Sequence, residues 1–341
     1  VNLFEQQAAN RRKSRWLVVV FVLFFAWLGF GGDYLAWQYT LGARPGEYHH
    51  VFPWFGLILA AIAAGLVRYI QRTGADKVLW SAGAWELIDA DTDDQRKLVN
   101  VVEEMAIAAG VPRPKIHIID DPDPNAFVTG TDPMKSHLAV TTGLIAALDR
   151  DELQGVVGHE MGHVKNLDMQ LMTMVAGLAG AIALIADGLG RMLRYGPRIG
   201  GGGGGGGGSK RGKDGNPFLV VILVVWLISW LLAPLITRML AMAISRKREF
   251  LADAMSAQFT RNPMSLASAL DKIEKAGAPT KAIKGGVAHL CIADPLGRRV
   301  SAKEGGLGAF FATHPPMAMR VSRLRAMAFQ SLKASGDFQP E

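Results

Sequence analysis

Cysteine is nearly missing from this chain of 341 residues: Cys291 stands alone, so no internal disulfide can form. That usage fits a reducing compartment, with Cys291 acting as a small buried hydrophobe. Nucleic-acid modules are missing too, so the formal charge of +7 is read as contact with anionic lipid headgroups, with no nucleic-acid partner. No clear small-residue cleavage pattern follows the first apolar run, which therefore reads as an uncleaved anchor. Between His163 and Glu249 there is neither a glutamate nor a histidine, and Asp168, Asp187 and Asp214 are the only acidic residues there.

What is present is apolar. Half of the residues are hydrophobic and the mean hydropathy is +0.18, more apolar than a typical soluble enzyme. Trp16 to Phe30, extended through Trp37, is long enough to span a bilayer, and Val51 to about Ile70 is a second such run. His49 and His50 fall in the loop between them and read as interfacial rather than metal-binding. Four basic residues (Arg11, Arg12, Lys13, Arg15) precede this hairpin and Arg68, Arg72 and Lys77 follow it, against Arg44 alone in the loop, so both ends are expected in the cytoplasm. Further on, Leu171 to Leu189 and Phe218 to Ile244 form a second apolar pair, the latter with Pro234 as a kink. A basic linker, residues 191–217, joins them around the run Gly200 to Gly208. If both segments span, this linker lies outside, against the charge bias; the length of each run favours spanning, and an incomplete span is the alternative. The resulting domains are a membrane hairpin (1–72), a first soluble half (73–170), a second hairpin (171–245) and a second soluble half (246–341).

The first soluble half has α/β character. Asp91 to Gly110 reads as an amphipathic helix that buries Leu98, Val101, Val102, Met105 and Ala106. Lys115 to Ile119, Ala126 to Thr129 and His137 to Thr141 read as strands, with Asp120 to Pro124 a turn and His117 and His137 strand residues rather than ligands. An exposed strand edge here could hold an extended peptide by backbone pairing, or serve as ordinary packing. In the second half, helices are expected from Glu249 to about Gln258, over Pro263 to Ala276, and after Pro316, the last with Met317, Val321 and Leu324 on one face. Residues 278–308 read as a mobile loop over a cleft.

The chemistry centres on His159-Glu160-Met161-Gly162-His163. Arg150 to Gly158 place this motif on a helix, so the two histidines share a face and can converge on one Zn2+. Glu160 falls beside that ion, where a carboxylate can take a proton from an attacking water, as peptide hydrolysis requires. One class of such proteases supplies a glycine and a third histidine at fixed steps; Asn166 and Met169 occupy those positions, which excludes that class. Glu249 is the first long carboxylate downstream, a third ligand or else a surface charge. Asp253, one helical turn further, could orient a ligating histidine.

HEMGH, REFLADA (248–254) and Thr313-His314-Pro315-Pro316 followed by Arg320, with Pro124 to Gly130 upstream, resemble the HtpX-type heat-shock metalloproteases, relatives of the CAAX prenyl proteases. The resemblance implies an α+β, mainly helical, membrane-embedded zincin-type fold with transmembrane helices and a small sheet beside the active-site helix. It implies one Zn2+ on His159, His163 and Glu249, with Glu160 as general base. Asn125, Ala126 and Phe127 would bind substrate, and His314 and Arg320 would lie near the reacting centre, placed to stabilise an oxyanion. The expected activity is hydrolysis of misfolded or surplus membrane proteins at the cytoplasmic face of a bacterial inner membrane. A processing protease for lipid-linked peptides and a zinc-holding scaffold without activity are the other readings; intact Glu160 speaks against the scaffold.

Overall fold

The computed structural model describes residues 3–178, 180, 246–276, 282, 290–293 and 315–335. Most of the second apolar pair, the glycine-rich linker and His314 lie outside the described residues. The chain divides into two compact units, one of Val1–Arg15, Tyr69–Gly177 and Met239–Glu341, the other of Trp16–Arg68 and Leu178–Arg238.

In the second unit, the apolar parts of α1 (Leu3–Thr40) and α2 (Trp54–Ser81) pair through small residues. Both helices are long and apolar enough to cross a membrane. A Cβ on Gly29 would stand 2.6 Å from the Gly56 Cα, so only glycine permits this approach. Asp33 is buried in α1, yet its carboxylate accepts from the Phe55 and Gly56 backbone N–H groups at 2.9 and 2.6 Å and lies 2.8 Å from His50 Nε2. The free N–H groups at the start of α2 thus neutralise a charge that would otherwise be costly in an apolar hairpin. This gives His50 a structural role.

The other unit is built on a four-stranded sheet of order β1-β2-β4-β3, formed by β1 (Trp85–Glu86), β2 (Lys115–Ile119), β3 (Ala126–Thr129) and β4 (His137–Thr141). β2 and β4 run parallel and the outer pairs antiparallel, which leaves β3 as an edge. α3 (Asp93–Ala109) begins with a capping box between Thr92 and Gln95 and stops at Gly110, whose φ of 66° is the left-handed conformation glycine supplies. Its buried face is the one expected, Leu98, Val101, Val102, Met105 and Ala106. A short helix α4 (Thr142–Ala147) then leads to α5 (Arg150–Lys165), which carries HEMGH and is capped by Asp149 and Glu152.

α6 (Arg246–Thr260), α7 (Pro263–Lys275) and α8 (Met317–Ser335) complete the unit. Gly155, Gly158 and Gly162 line one side of α5 and admit the neighbouring chain: built Cβ atoms there would stand 2.6 Å from the Leu266 nitrogen, 3.1 Å from Ser256 Oγ and 3.2 Å from the Ala252 Cα. Ser256 Oγ donates to the Gly155 carbonyl at 2.6 Å, locking α5 against α6. Gly155→Ala must force α5 away from α7, whose Leu266 backbone it would meet. Overpacking costs about 1–3 kcal/mol, its upper end applying where the clash is with backbone, against about 1 kcal/mol gained from helix propensity, so a net loss of about 2 kcal/mol is expected in thermal or denaturant unfolding. Unchanged stability would show that the contact yields freely.

His117 and His137 sit side by side on adjacent strands, Nε2 to Nδ1 3.0 Å. Burial, then the neighbouring His137, pushes His117 down to about 4, and burial lowers His137 as well. A depressed folded value means that the unfolded chain binds more protons between pH 6.5 and about 4, so stability falls as pH drops through that window. Unfolding of the full chain in detergent should show this loss, and His117→Gln should flatten it. An equally steep loss in the variant would assign the acid sensitivity elsewhere.

Candidate metal centre

His159 and His163 lie one turn apart on α5, and Glu249 enters from the first turn of α6. All three are buried and each offers a ligand atom within 4.8 Å of the others. The two Nε2 atoms are 3.2 Å apart; the Glu249 oxygens stand 3.8 Å from His159 Nε2 and 3.6 Å from His163 Nε2. Tetrahedral ligands at the roughly 2.0–2.1 Å of zinc bonds are separated by about 3.3–3.4 Å, so this triangle fits a zinc ion closely.

The outer nitrogens are fixed by carboxylates. His159 Nδ1 is 2.9 Å from Asp253 Oδ1, and His163 Nδ1 is 3.3 Å from Asp168 Oδ2. With the Nδ1 protons on these acids, both Nε2 lone pairs face inward, the tautomer that a metal ligand needs. Asp168 is the residue that sequence reasoning passes over. Its other oxygen accepts from Asn10 Nδ2 at 2.7 Å and lies 3.4 Å from Arg248 Nε. Asn10 Nδ2 also donates to the Asn166 carbonyl at 2.8 Å and Gln7 Nε2 to the Lys165 carbonyl at 2.7 Å, so the start of α1 satisfies free carbonyls at the end of α5.

Arg320 is wholly buried and forks onto Asp253, Nη2 to Oδ1 at 2.6 Å and Nε to Oδ2 at 3.0 Å, while Nη1 donates to the Ile292 carbonyl at 2.9 Å. Three of its five N–H groups are committed to these bonds, which place Arg320 to hold Asp253. Nothing comparable can be said of His314, which lies outside the described residues.

Asn125, Ala126 and Phe127 are buried rather than presented on an open edge. Ile292 N–H donates to the Ala126 carbonyl at 2.9 Å and Asn125 Nδ2 to the Ala293 carbonyl at 3.0 Å, so residues 290–293 already cover this end of β3. The described part of the segment expected as a mobile loop, residues 290–293, is thus tied to β3 by these bonds. Further along the same strand, the backbone of Val128 faces Glu160.

Among the described residues, neither Glu160 oxygen has a hydrogen-bond partner of good geometry, Val128 offering only a weak interaction. Burial pushes its carboxyl up to about 7; the Glu249 charge adds to that, while His163 and Arg320 act against it. A carboxylate poised near neutrality suits proton transfer. For the histidines, burial lowers His159 to about 4, whereas the Asp168 bond and the charges of Glu249, Asp168 and Glu160 together outweigh burial and raise His163 to about 9.

A helix-borne histidine pair and a glutamate from α6 could hold a metal ion, with the acid of Glu160 beside them. Residues 92–328 match the model of Peptidase family M48. The chain is 38% identical to the protein described as "Protease HtpX homolog" in Caldanaerobacter subterraneus subsp. tengcongensis, over 95% of this chain and 98% of that protein. It is 37% identical to the protein so described in Streptococcus pneumoniae, over 95% and 100%. The crystal structure of S. mikatae Ste24p aligns over 94% of this chain and 67% of that one at 17% identity, with a TM-score of 0.44. On the family and relative matches, this chain belongs to peptidase family M48, among its HtpX-type membrane metalloproteases.

If Asp168 positions His163, then Asp168→Asn and Asn10→Ala should each weaken metal retention by about 10–100-fold, the range for losing such a partner. Competition of the folded chain with a zinc chelator measures this directly. Wild-type retention in both variants would reduce the Asn10–Asp168 link to packing.

Proposed function

We propose that this chain is a zinc endopeptidase that cuts extended segments of misfolded or surplus membrane proteins at the cytoplasmic face of a bacterial inner membrane. The observation that carries the reading is the convergence of His159, His163 and Glu249 beside the buried, unpartnered carboxylate of Glu160.

In this reading, zinc held by those three residues supplies Lewis acidity toward the peptide carbonyl and toward water. Glu160 takes the proton of the attacking water and passes it to the departing amine nitrogen. Asp253 and Asp168 keep both imidazoles turned inward, and Arg320 holds Asp253 in place. Glu160 is itself almost wholly buried beside Val128, which keeps bulk water from its carboxylate. An incoming peptide would pair with β3 once the contacts that now cover its edge, Ile292 N–H to the Ala126 carbonyl and Gly130 N–H to Thr173 Oγ1, give way.

Cytoplasmic action rests on charge. The basic residues before α1's apolar stretch and after that of α2 outnumber the single Arg44 between the helices, and the soluble halves continue from these cytoplasmic ends. A quality-control substrate fits recognition through backbone pairing, which reads an extended shape rather than a sequence.

The test is cleavage of an unfolded, unlipidated protein by the full chain in detergent with zinc, beside Glu160→Gln and a chelated control. Glu160→Gln should retain one zinc per chain and lose about 10²–10⁴-fold in kcat, the usual contribution of a general base. Stoichiometric zinc with no cleavage of unlipidated or prenylated peptides would sink the enzyme reading in favour of a scaffold. Cleavage of prenylated peptides alone would favour processing of lipid-linked substrates.

A further inference from the structure

A cavity of about 750 Å³ opens on the metallopeptidase unit, walled on one side by α2 where its apolar run gives way to Gln71, Arg72 and Asp76. Its other walls come from the approach to β2, the turn between β3 and β4, and the helical residues 170 and 174. Thr131 Oγ1 donates to the Gln71 carbonyl at 3.0 Å, tying that turn to α2.

The lining carries four cations, Arg72, Arg113, Lys115 and Lys135, against two carboxylates, Asp76 and Asp132. Lys115 is paired with Glu86 at 2.9 Å, outside the lining, while Asp132 caps the 133–135 turn by accepting from Met134 N–H at 3.0 Å. Arg72, Arg113 and Lys135 have no ion pair among the described residues. Three guanidinium and ammonium groups without partners around a concave space are suited to the oxygens of a phosphate. The apolar part of the site points to where that phosphate resides. Met134 is 74% exposed at the rim, and the apolar run of α2 gives way at Arg68, just before the lining begins at Gln71. The cavity therefore falls at the level of the headgroups on the side of the membrane where basic pockets meet anionic lipid.

We propose that this cavity binds the phosphate of an anionic phospholipid headgroup, holding the metallopeptidase unit against the membrane through Arg72, Arg113 and Lys135. The site is separate from the metal centre and requires no zinc.

Native mass spectrometry of the full chain in uncharged detergent, titrated with phosphatidylglycerol, tests it. Arg113→Glu with Lys135→Glu should weaken lipid binding at least about tenfold, each basic group near such a surface having a substantial share in the attraction. Arg96→Glu with Lys275→Glu, an equal change of charge on exposed residues elsewhere, should leave binding within about twofold. Should the glutamate pair not fold, Arg113→Gln with Lys135→Gln tests the same contacts under a milder change. Millimolar inorganic phosphate is the second arm: failure to displace the lipid assigns the site to headgroups, whereas displacement with the same residue dependence keeps the phosphate chemistry and assigns it to a soluble source. Equal lipid loss in the cavity and control pairs, or none in either, overturns the proposal.

Discussion

The close approach of α5 and α6 is the constraint on which the metal centre depends. Glu249 has a short reach, and its oxygens come within 4 Å of both histidine Nε2 atoms only because the helix carrying it packs against the glycine side of α5. Gly162 lies inside the HEMGH motif, and its bare backbone meets Ala252 one turn past Glu249. Glycine weakens a helix by roughly 1 kcal/mol per position. Here that loss admits a second helix at a distance that larger side chains would forbid, and packing of both helices into the common core compensates. The polar centre is therefore supported from behind by Leu153, Val156, Val157 and Leu266, all fully buried.

Burying so much charge needs a further balance. Glu160, Asp168, Glu249 and Asp253 are all buried around this centre, while Arg248 and Arg320 are the buried cations among them. Four carboxylates against two guanidinium groups leave two negative charges, which a divalent ion would cancel. Protons take up part of that deficit: the surrounding carboxylates raise His163 to about 9 against its burial, while burial itself raises Glu160 to about 7. A metal supplied to the site would compete with those protons, and its binding must therefore release them. The same accounting argues against a structural role alone, since Glu160 adds a buried charge that the ligand set does not require.

Much of this was legible in the residues. The end of α3 follows from Gly110, the turn residues 120–124 separate the apolar runs of β2 and β3, and the four-residue step from Glu249 places Asp253 on the same face of α6. Asp168 was not legible, for a geometric reason. Five residues on from His163, an unbroken helix would set it roughly 140° around the axis. Leu167 instead adopts φ 60°, a left-handed conformation unusual for leucine, and the turn returns Asp168 to His163. Asn10 was hidden by sequence distance, as was the pairing of Ile292 with Ala126, because polar and glycine-rich composition around residues 278–308 reads as a loop whatever its few buried residues do. Arg320 was found by motif, but its partner could be fixed only by the tertiary fold.

The Asn10 contact also alters how the membrane anchor relates to the chemistry. Residues 1–15 belong with the metallopeptidase unit, and α1 continues from them without interruption into its apolar stretch. The helix that anchors the chain therefore begins by holding Asp168 and the end of α5. Contacts that favour one arrangement of this helix start also favour the orientation of His163 that a metal needs, and by linkage a bound metal favours that same arrangement. The coupling is reciprocal and needs no movement of the sheet or of α6. The residues that open α1 thus add a buried amide to the support of Asp168 and, through it, of His163.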